Sequence, residues 1–265
     1  MTQRLWALFR KELRSLFASP IAYIVLTAFV SLSGIFFFQH LTAYNRLLFV
    51  FHSEQATGFG FDSGTVPIQV NIREELFIPA ANDFALMLLV LIPLVTMRVF
   101  ADEKAHGTDE LLLTTPLRPW EVAVAKHLSS YVFVFLMLAV SAIYPAVAIQ
   151  EGRLGLGHLA ALLVGQLSFA TAVAAIGLAC SSLTRSQIVA AVLGYAIPFV
   201  LLDFGWLEPV LSAGVAEMLR ELALQPHIDS FARGLIEFRN LVYFSGIVAI
   251  GYTVSLSSME LGRAR

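Results

Sequence analysis

The chain has 265 residues, a formal net charge of −2 and a mean hydropathy of +0.77, with 58% hydrophobic and 14% charged residues. A soluble domain carries roughly 45–50% and about 25%, and the apolar surplus here would leave large patches facing water, so composition points to a membrane protein. It also argues against a nucleic-acid binder, which needs a basic stripe, against disorder, given 21 Phe, and against a disulfide framework or multi-cysteine metal site, since Cys180 is the single cysteine.

Residues 1–17 read as an amphipathic helix. Leu5, Phe9, Leu13 and Leu16 recur at helical spacing, joined by Trp6 and Phe17, while Arg4, Arg10, Lys11 and Arg14 supply charge. Such a helix is expected to lie in the membrane interface with its apolar stripe among the lipid headgroups. Trp6, Phe9, Arg10, Lys11 and Arg14 are its candidate membrane-contact residues. Whether it only anchors the next segment or also touches a partner stays open.

A transmembrane helix needs about 20 mostly apolar residues. Six stretches qualify, at about 21–38, 83–97, 127–149, 159–182, 188–202 and 240–258, the fifth being short. They are continuously apolar rather than alternating, which favours helices over a barrel. The expected architecture is thus all-α, one transmembrane domain over residues 1–265 with six spans. The first is expected to be a retained span. Its apolar heart of 18 residues exceeds the roughly 7–15 of a signal peptide, and no A-x-A-like site follows.

Lys/Arg counts orient the spans. With both termini on the cytosolic side, the 61 residues of that side hold 11 Lys/Arg and the 90 of the opposite side hold six. The termini are therefore expected in the cytosol.

The outer segment 46–82 carries Gly58, Gly60, Gly64 and Pro67, then a short helix expected over Asn71–Phe77; it offers a docking surface for an external partner. In the outer segment 203–239, Leu207, Val210, Leu211, Val215, Met218, Leu219 and Leu222 follow a 3–4 residue rhythm. This predicts an apolar helix that does not span, either re-entrant or lying at the interface. Gly177-x-x-x-Ser181 and Ala190-x-x-x-Gly194 are small-residue pairs for close helix packing, within the chain or across a dimer. Pro93, Pro145 and Pro198 interrupt three spans, as static kinks or as hinges. Asp83, Asp203, His40 and His127 fall at the ends of spans, where hydration keeps them inexpensive. The six histidines show no ligand spacing and no nucleophile constellation is present, so neither a metal nor a catalytic site is expected.

The segment between spans two and three is the most informative. Gly107 or Thr108 can cap a short helix with Asp109 and Glu110 in its first turn, where the helix dipole favours acids. Leu111–Leu113 make an apolar knob, and Pro116 stops the helix. So short a helix has no core of its own and needs something to dock against.

These residues carry a family resemblance. The string Phe100-Ala101-Asp102-Glu103-Lys104, then Gly107-Thr108, Glu110-Leu111-Leu112-Leu113 and Thr115-Pro116-Leu117, resembles the coupling region of ABC-2 type permeases. Lys11-Glu12-Leu13 with Ser19-Pro20-Ile21-Ala22-Tyr23 is similar to the opening of the same family. His227-Ile228-Asp229-Ser230-Phe231-Ala232-Arg233-Gly234, leading to Tyr243-Phe244, is similar to its gliding-motility-type branch. One departure is Asp109, which stands where apolar residues are common.

The resemblance implies a permease subunit of an ATP-driven transporter, an exporter, in a bacterial inner membrane. It would pair with a second copy or a paralogue and with two separate ABC ATPase subunits. Glu103, Gly107, Thr108, Glu110, Leu111, Leu112, Thr115 and Pro116 would couple to those ATPases, with His227, Asp229 and Arg233 in the outer motif. ATP and Mg would sit on the partner, because this sequence has no G-x-x-x-x-G-K-[ST]; Gly152 to Gly157 has glycines without the Lys-Ser/Thr. The chain is therefore not expected to be an enzyme or to bind a cofactor itself. A channel or secondary transporter would need ionisable sites at mid-membrane, which are nearly missing. An ATP-driven machine that pulls on an extracytoplasmic partner through 39–82 and 203–239, moving no solute, stays open as the alternative.

Overall fold

A computed structural model describes residues 2–57, 71–108, 117–151, 155–207 and 212–263. Among these residues all regular structure is helical. The first helix, α1 (Thr2–Ala18), meets α2 (Pro20–Thr57) at Ser19. Pro20 has no N–H to extend α1 and disfavours a helical residue before it, yet suits the first position of a new helix. The Ser19 Oγ accepts from Ile21 N at 3.4 Å.

With 38 residues, α2 is about 57 Å long at 1.5 Å per residue, against a hydrocarbon core of about 30 Å. The expected 21–38 stretch is thus only half of one continuous helix. Its buried residues Ala22, Val25, Phe29, Ser33 and Phe37 form a single stripe facing the following two helices, and Tyr23, Ile24, Ile35 and Phe38 are exposed.

The expected helix at Asn71–Phe77 is present as a π-helical turn, Arg73–Phe77, that runs straight into α3 (Ile78–His106). The second helix consequently begins well before residue 83. Asp83 is inside it rather than at its end, and accepts from His40 Nε2 at 2.6 Å.

The third span also starts earlier than residue 127. Pro119 fits the first helical position and the Arg118 N–H donates to Glu121 Oε2 at 2.9 Å, a cap that starts α4 (Pro119–Ser141) two turns sooner. His127 is accordingly not terminal. It is buried, within hydrogen-bond distance of Tyr131 and Ser255. At Ala142 the path breaks before α5 (Ile143–Glu151), because Pro145 offers no N–H to the Ser141 carbonyl. Tyr144 turns back onto α2, donating to Val30 O at 3.0 Å. It fits because Gly34 has no Cβ; one there would lie 2.8 Å from the Tyr144 oxygen.

The axis of the bundle is α6 (Leu156–Leu183), which packs against α3, α4 and three later helices: α7 (Gln187–Leu202), α9 (Leu224–Ala232) and α10 (Phe238–Arg263). A Cβ on Gly177 would sit 2.2 Å from Thr96 Oγ1, and one on Gly251 2.7 Å from the Ala175 carbonyl oxygen. At Gly194 a Cβ would lie 3.5 Å from Pro93 and 3.7 Å from the Gly177 Cα. Both small-residue pairs therefore serve the α3–α6–α7 contact within the chain. Ser181 Oγ donates to Met97 O at 2.8 Å and accepts from Phe100 N and Ala101 N, entering the α3 ladder one turn below Pro93.

Among the described residues five helices are long and apolar enough to cross a membrane: Pro20–Ser53, Arg73–His106, Pro119–Ile149, Leu156–Leu183 and Phe238–Gly262. The sixth expected span, Gln187–Leu202, is a shorter apolar helix. Of the 203–239 rhythm, Leu207 lies in a 3₁₀ turn at Gly205–Leu207 and Val215, Met218, Leu219 and Leu222 lie on an amphipathic α8 (Ala213–Leu222), with α9 following; Val210 and Leu211 lie outside the described residues. Val215, Met218 and Leu222 of α8 are exposed, whereas Leu224, Ile228 and Phe231 of α9 are buried. Phe231 lies on Gly165, where a Cβ would come within 2.4 Å.

Candidate functional site

The termini-side end of the bundle gathers charge that the sequence pattern did not single out. Lys126 of α4 is 1% exposed. Its Nζ lies 3.0 Å from Glu12 Oε2, 2.9 Å from Glu103 Oε2 and 2.9 Å from the Val99 carbonyl oxygen, three acceptors for the three protons of an ammonium. The Phe100 ring lies 5.3 Å away. Lys11 adds the fourth charge, 2.9 Å from Glu12 Oε1 and 3.2 Å from Glu103 Oε1. Two cations and two carboxylates thus join α1, α3 and α4 with no net charge.

Burial works against the Glu12 charge, but Lys126 and Lys11 outweigh it and hold the carboxyl below its ordinary value. Burial likewise opposes the charge of Lys11, and the Glu12 and Glu103 carboxylates overcome it, raising the ammonium above its usual range. Around the enclosed Lys126 and Glu12 a complete set of partners is what makes the charges tolerable, and loss of one strands the other.

This arrangement also corrects the expected setting of α1. Leu8 and Phe9 are buried and pack with Phe100, Val122, Ala123 and Leu178, so the apolar stripe lies on protein rather than among headgroups. The reason is Glu12, which draws that face onto Lys126. Trp6, Arg10 and Arg14 remain exposed, with Trp6 stacked on Phe9 at 5.3 Å between ring centroids.

The last two turns of α3 form a hub. Arg98 donates to Ser19 Oγ at 3.0 Å, and Asp102 accepts from Gln187 of α7. Glu103 faces Lys11 and Lys126. Lys104 donates to the Ser182 carbonyl of α6 and to Ser258 Oγ of α10 at 3.0 Å. Successive polar residues thereby attach this helix end to α1, α4, α6, α7 and α10. Gly107 closes it in the left-handed region at φ 67°, its N–H on Glu103 O, a conformation that favours glycine. Thr108 Oγ1 donates to the same carbonyl at 3.3 Å. Glu110, Leu111, Leu112, Thr115 and Pro116 lie outside the described residues.

His227 and Asp229 lie on α9 at the opposite end and Arg233 caps it, but the three do not converge. His227 is buried, its Nδ1 donates to Ala223 O at 2.8 Å and its ring stacks on Tyr243 at 3.9 Å. Burial lowers its pKa, helped by the nearby Arg239 charge. Burial raises that of Asp229, whose Oδ1 is buried without a hydrogen-bond partner among the described residues. Arg233 is exposed, 3.9 Å from Glu74.

Sequence reasoning missed Glu12 and Lys126. The signal was present: each interrupts an otherwise apolar helix face, Glu12 between Leu8 and Leu16, Lys126 one turn after Val122. An acid and a base stranded on two apolar faces are natural partners.

Long apolar helices around a tightly packed α6 define a multi-pass helical membrane protein. The family model for ABC-2 family transporter protein matches residues 54–211, more than half of the chain. The chain belongs to the ABC-2 transporter family. No curated protein matches it.

Proposed function

We propose that the chain is the permease subunit of an ABC transporter, working as an exporter with separate ATPase subunits that carry ATP and Mg. The supporting observation is the α3 hub. The helix end that leads into residues 107–118 is bonded to five other helices, so a push on that segment reaches the whole bundle rather than dissipating in a loose loop. Closure of two ATPases on each other would move the 107–118 segment as a lever, and the four-charge cluster would carry α1 along with α3. In this reading six spans cross a bacterial inner membrane, both termini are cytosolic, and a second copy or paralogue completes the permease.

The test is co-purification with ABC-type ATPases from the native host. Glu110→Lys and Leu112→Asp should abolish association and coupled ATP hydrolysis while the permease still folds. Retention of both would overturn the reading. The length of α2 favours one alternative, an ATP-driven machine that transmits force to an extracytoplasmic partner. Crosslinks from residues 46–57 to a periplasmic protein, with no transport activity, would select it.

A further inference from the structure

A cavity of about 110 Å³ opens where α1, α2, α3 and α4 meet, far more than the roughly 10–15 Å³ one ordered water requires on the same measure. Its polar lining includes Arg98, Ser15 and Ser19 together with Glu12, Asp102 and Glu103. Leu16, Leu94 and Val95 line the remainder.

Arg98 and Asp102 are one turn apart on α3, the spacing at which an ion pair normally forms. Yet among the described residues Arg98 has no ion pair. One N–H goes to Ser19 Oγ, while Asp102 accepts from Gln187 and lies 3.6 Å from His106 Nδ1. A guanidinium has five donors in a planar fork suited to a phosphate, and Arg98 lines the cavity with one of them on Ser19 Oγ. The charges are also ordered along the membrane normal. Because α3 runs out of the hydrocarbon towards residue 106, Arg98 lies about 6 Å nearer the membrane than Asp102, from four residues at 1.5 Å rise.

We propose that this cavity binds the headgroup of a zwitterionic aminophospholipid, phosphatidylethanolamine. Phosphate meets Arg98 and the Ser15 and Ser19 hydroxyls near the hydrocarbon, and the primary ammonium meets Asp102 and the edge of the Glu12–Glu103 cluster nearer water. The order along the normal is that of the lipid itself, phosphate inward and amine outward. A choline headgroup has no N–H to donate, and a glycerol headgroup brings no cation to Asp102. The bound lipid would fill the junction between α1 and α2 and brace the α1 clamp. The proposal rests on the Proposed function only in placing α1 at a membrane surface.

The experiment uses the full chain in nanodiscs of equal parts phosphatidylethanolamine, phosphatidylcholine and phosphatidylglycerol, with native mass spectrometry of the lipids kept on release and no ATPase present. Phosphatidylethanolamine should be retained about tenfold over either competitor, the scale of one charge-assisted contact. Arg98→Gln should lower retention of all three, and Asp102→Asn should bring phosphatidylethanolamine to parity with phosphatidylcholine. Ser19→Ala, a smaller change, keeps the test valid if Arg98→Gln loses its helical circular dichroism. Equal retention by the wild type, or an unchanged preference in Asp102→Asn, overturns the proposal. Tight binding of soluble phosphoethanolamine without lipid preference overturns it too, assigning the site to a free solute. Because no ATPase enters, failure here leaves the coupling reading standing, and the reverse also holds.

Discussion

The two ends of the bundle treat buried polarity in opposite ways. At the termini-side end Lys126 is almost fully enclosed, yet every ammonium proton has an oxygen and every neighbouring charge an opposite. At the other end His158 is buried with neither ring nitrogen bonded, and the Gln166 Oε1 and Asp229 Oδ1 atoms are likewise buried without a partner among the described residues. His158 is wedged against Phe77 and Gly234, which takes φ 87° and where a Cβ would come within 2.4 Å of Nδ1. A satisfied network stiffens a structure, whereas an unsatisfied one costs free energy that a rearrangement can recover. The first end is braced against deformation, and the second holds polar groups that gain from opening to water.

That contrast breaks most severely at Lys126. Lys126→Met removes the buried cation and leaves Glu12, itself enclosed, and Glu103 with Lys11 alone. Thermal unfolding in detergent should show a loss of about 3–5 kcal/mol, and crosslinking between α1 and α4 should fall. Adding Glu12→Gln should recover part of the loss; a Lys126→Met protein as stable as wild type would mean the cluster is no clamp.

Next in size is Gly165→Val, which drives a side chain into Phe231 and should cost about 1–3 kcal/mol as α9 lifts from α6. Proteolysis between α8 and α10 should accelerate, and cleavage unchanged from wild type would contradict the packing described.

Smaller and opposite in sign, His158→Leu removes two unbonded nitrogens at similar volume. It should be neutral or stabilise by up to about 1 kcal/mol, read from the unfolding midpoint. A destabilisation of several kcal/mol would show that His158 has a partner in the membrane and that the two ends are alike.

The smallest effects are those of pH. Glu12 has a depressed folded pKa, so its contribution holds above 4.5 and is lost as pH falls below that value. Lys11 has a raised one, so its contribution holds below 10.5 and is lost as pH rises beyond it. Crosslinking of α1 to α4 should therefore be flat between those limits. His227 also has a depressed pKa, so the docking of α9 should weaken as pH falls through 6.5. Hydrogen exchange in α9 that stays constant from pH 7.5 to 5.5 would remove this distinction between the ends.

Much of the bundle was legible from the chain alone. The apolar runs gave the helices at 159–182, 188–202 and 240–258 to within a few residues, because hydrocarbon imposes a minimum length of uncharged sequence. Boundaries failed where capping and packing extend a helix past its apolar run. Glu121 carries α4 back to Pro119, Leu76 and Phe77 bury the turn before α3, and α2 continues far beyond Phe38. For the same reason Lys126 and His127 read as edge residues when they are interior ones.

Composition and periodicity by themselves determined that this is a helical membrane protein with an amphipathic first helix and a distinctive segment after residue 100, since those features depend only on local hydrophobicity and spacing. Tertiary structure alone decided which face of α1 is covered, that Glu12, Glu103 and Lys126 meet, and that the small-residue pairs join helices of the same chain. Residues 12, 103 and 126 are far apart along the sequence, and only the packing of three helices brings their charges within 3.0 Å of one nitrogen.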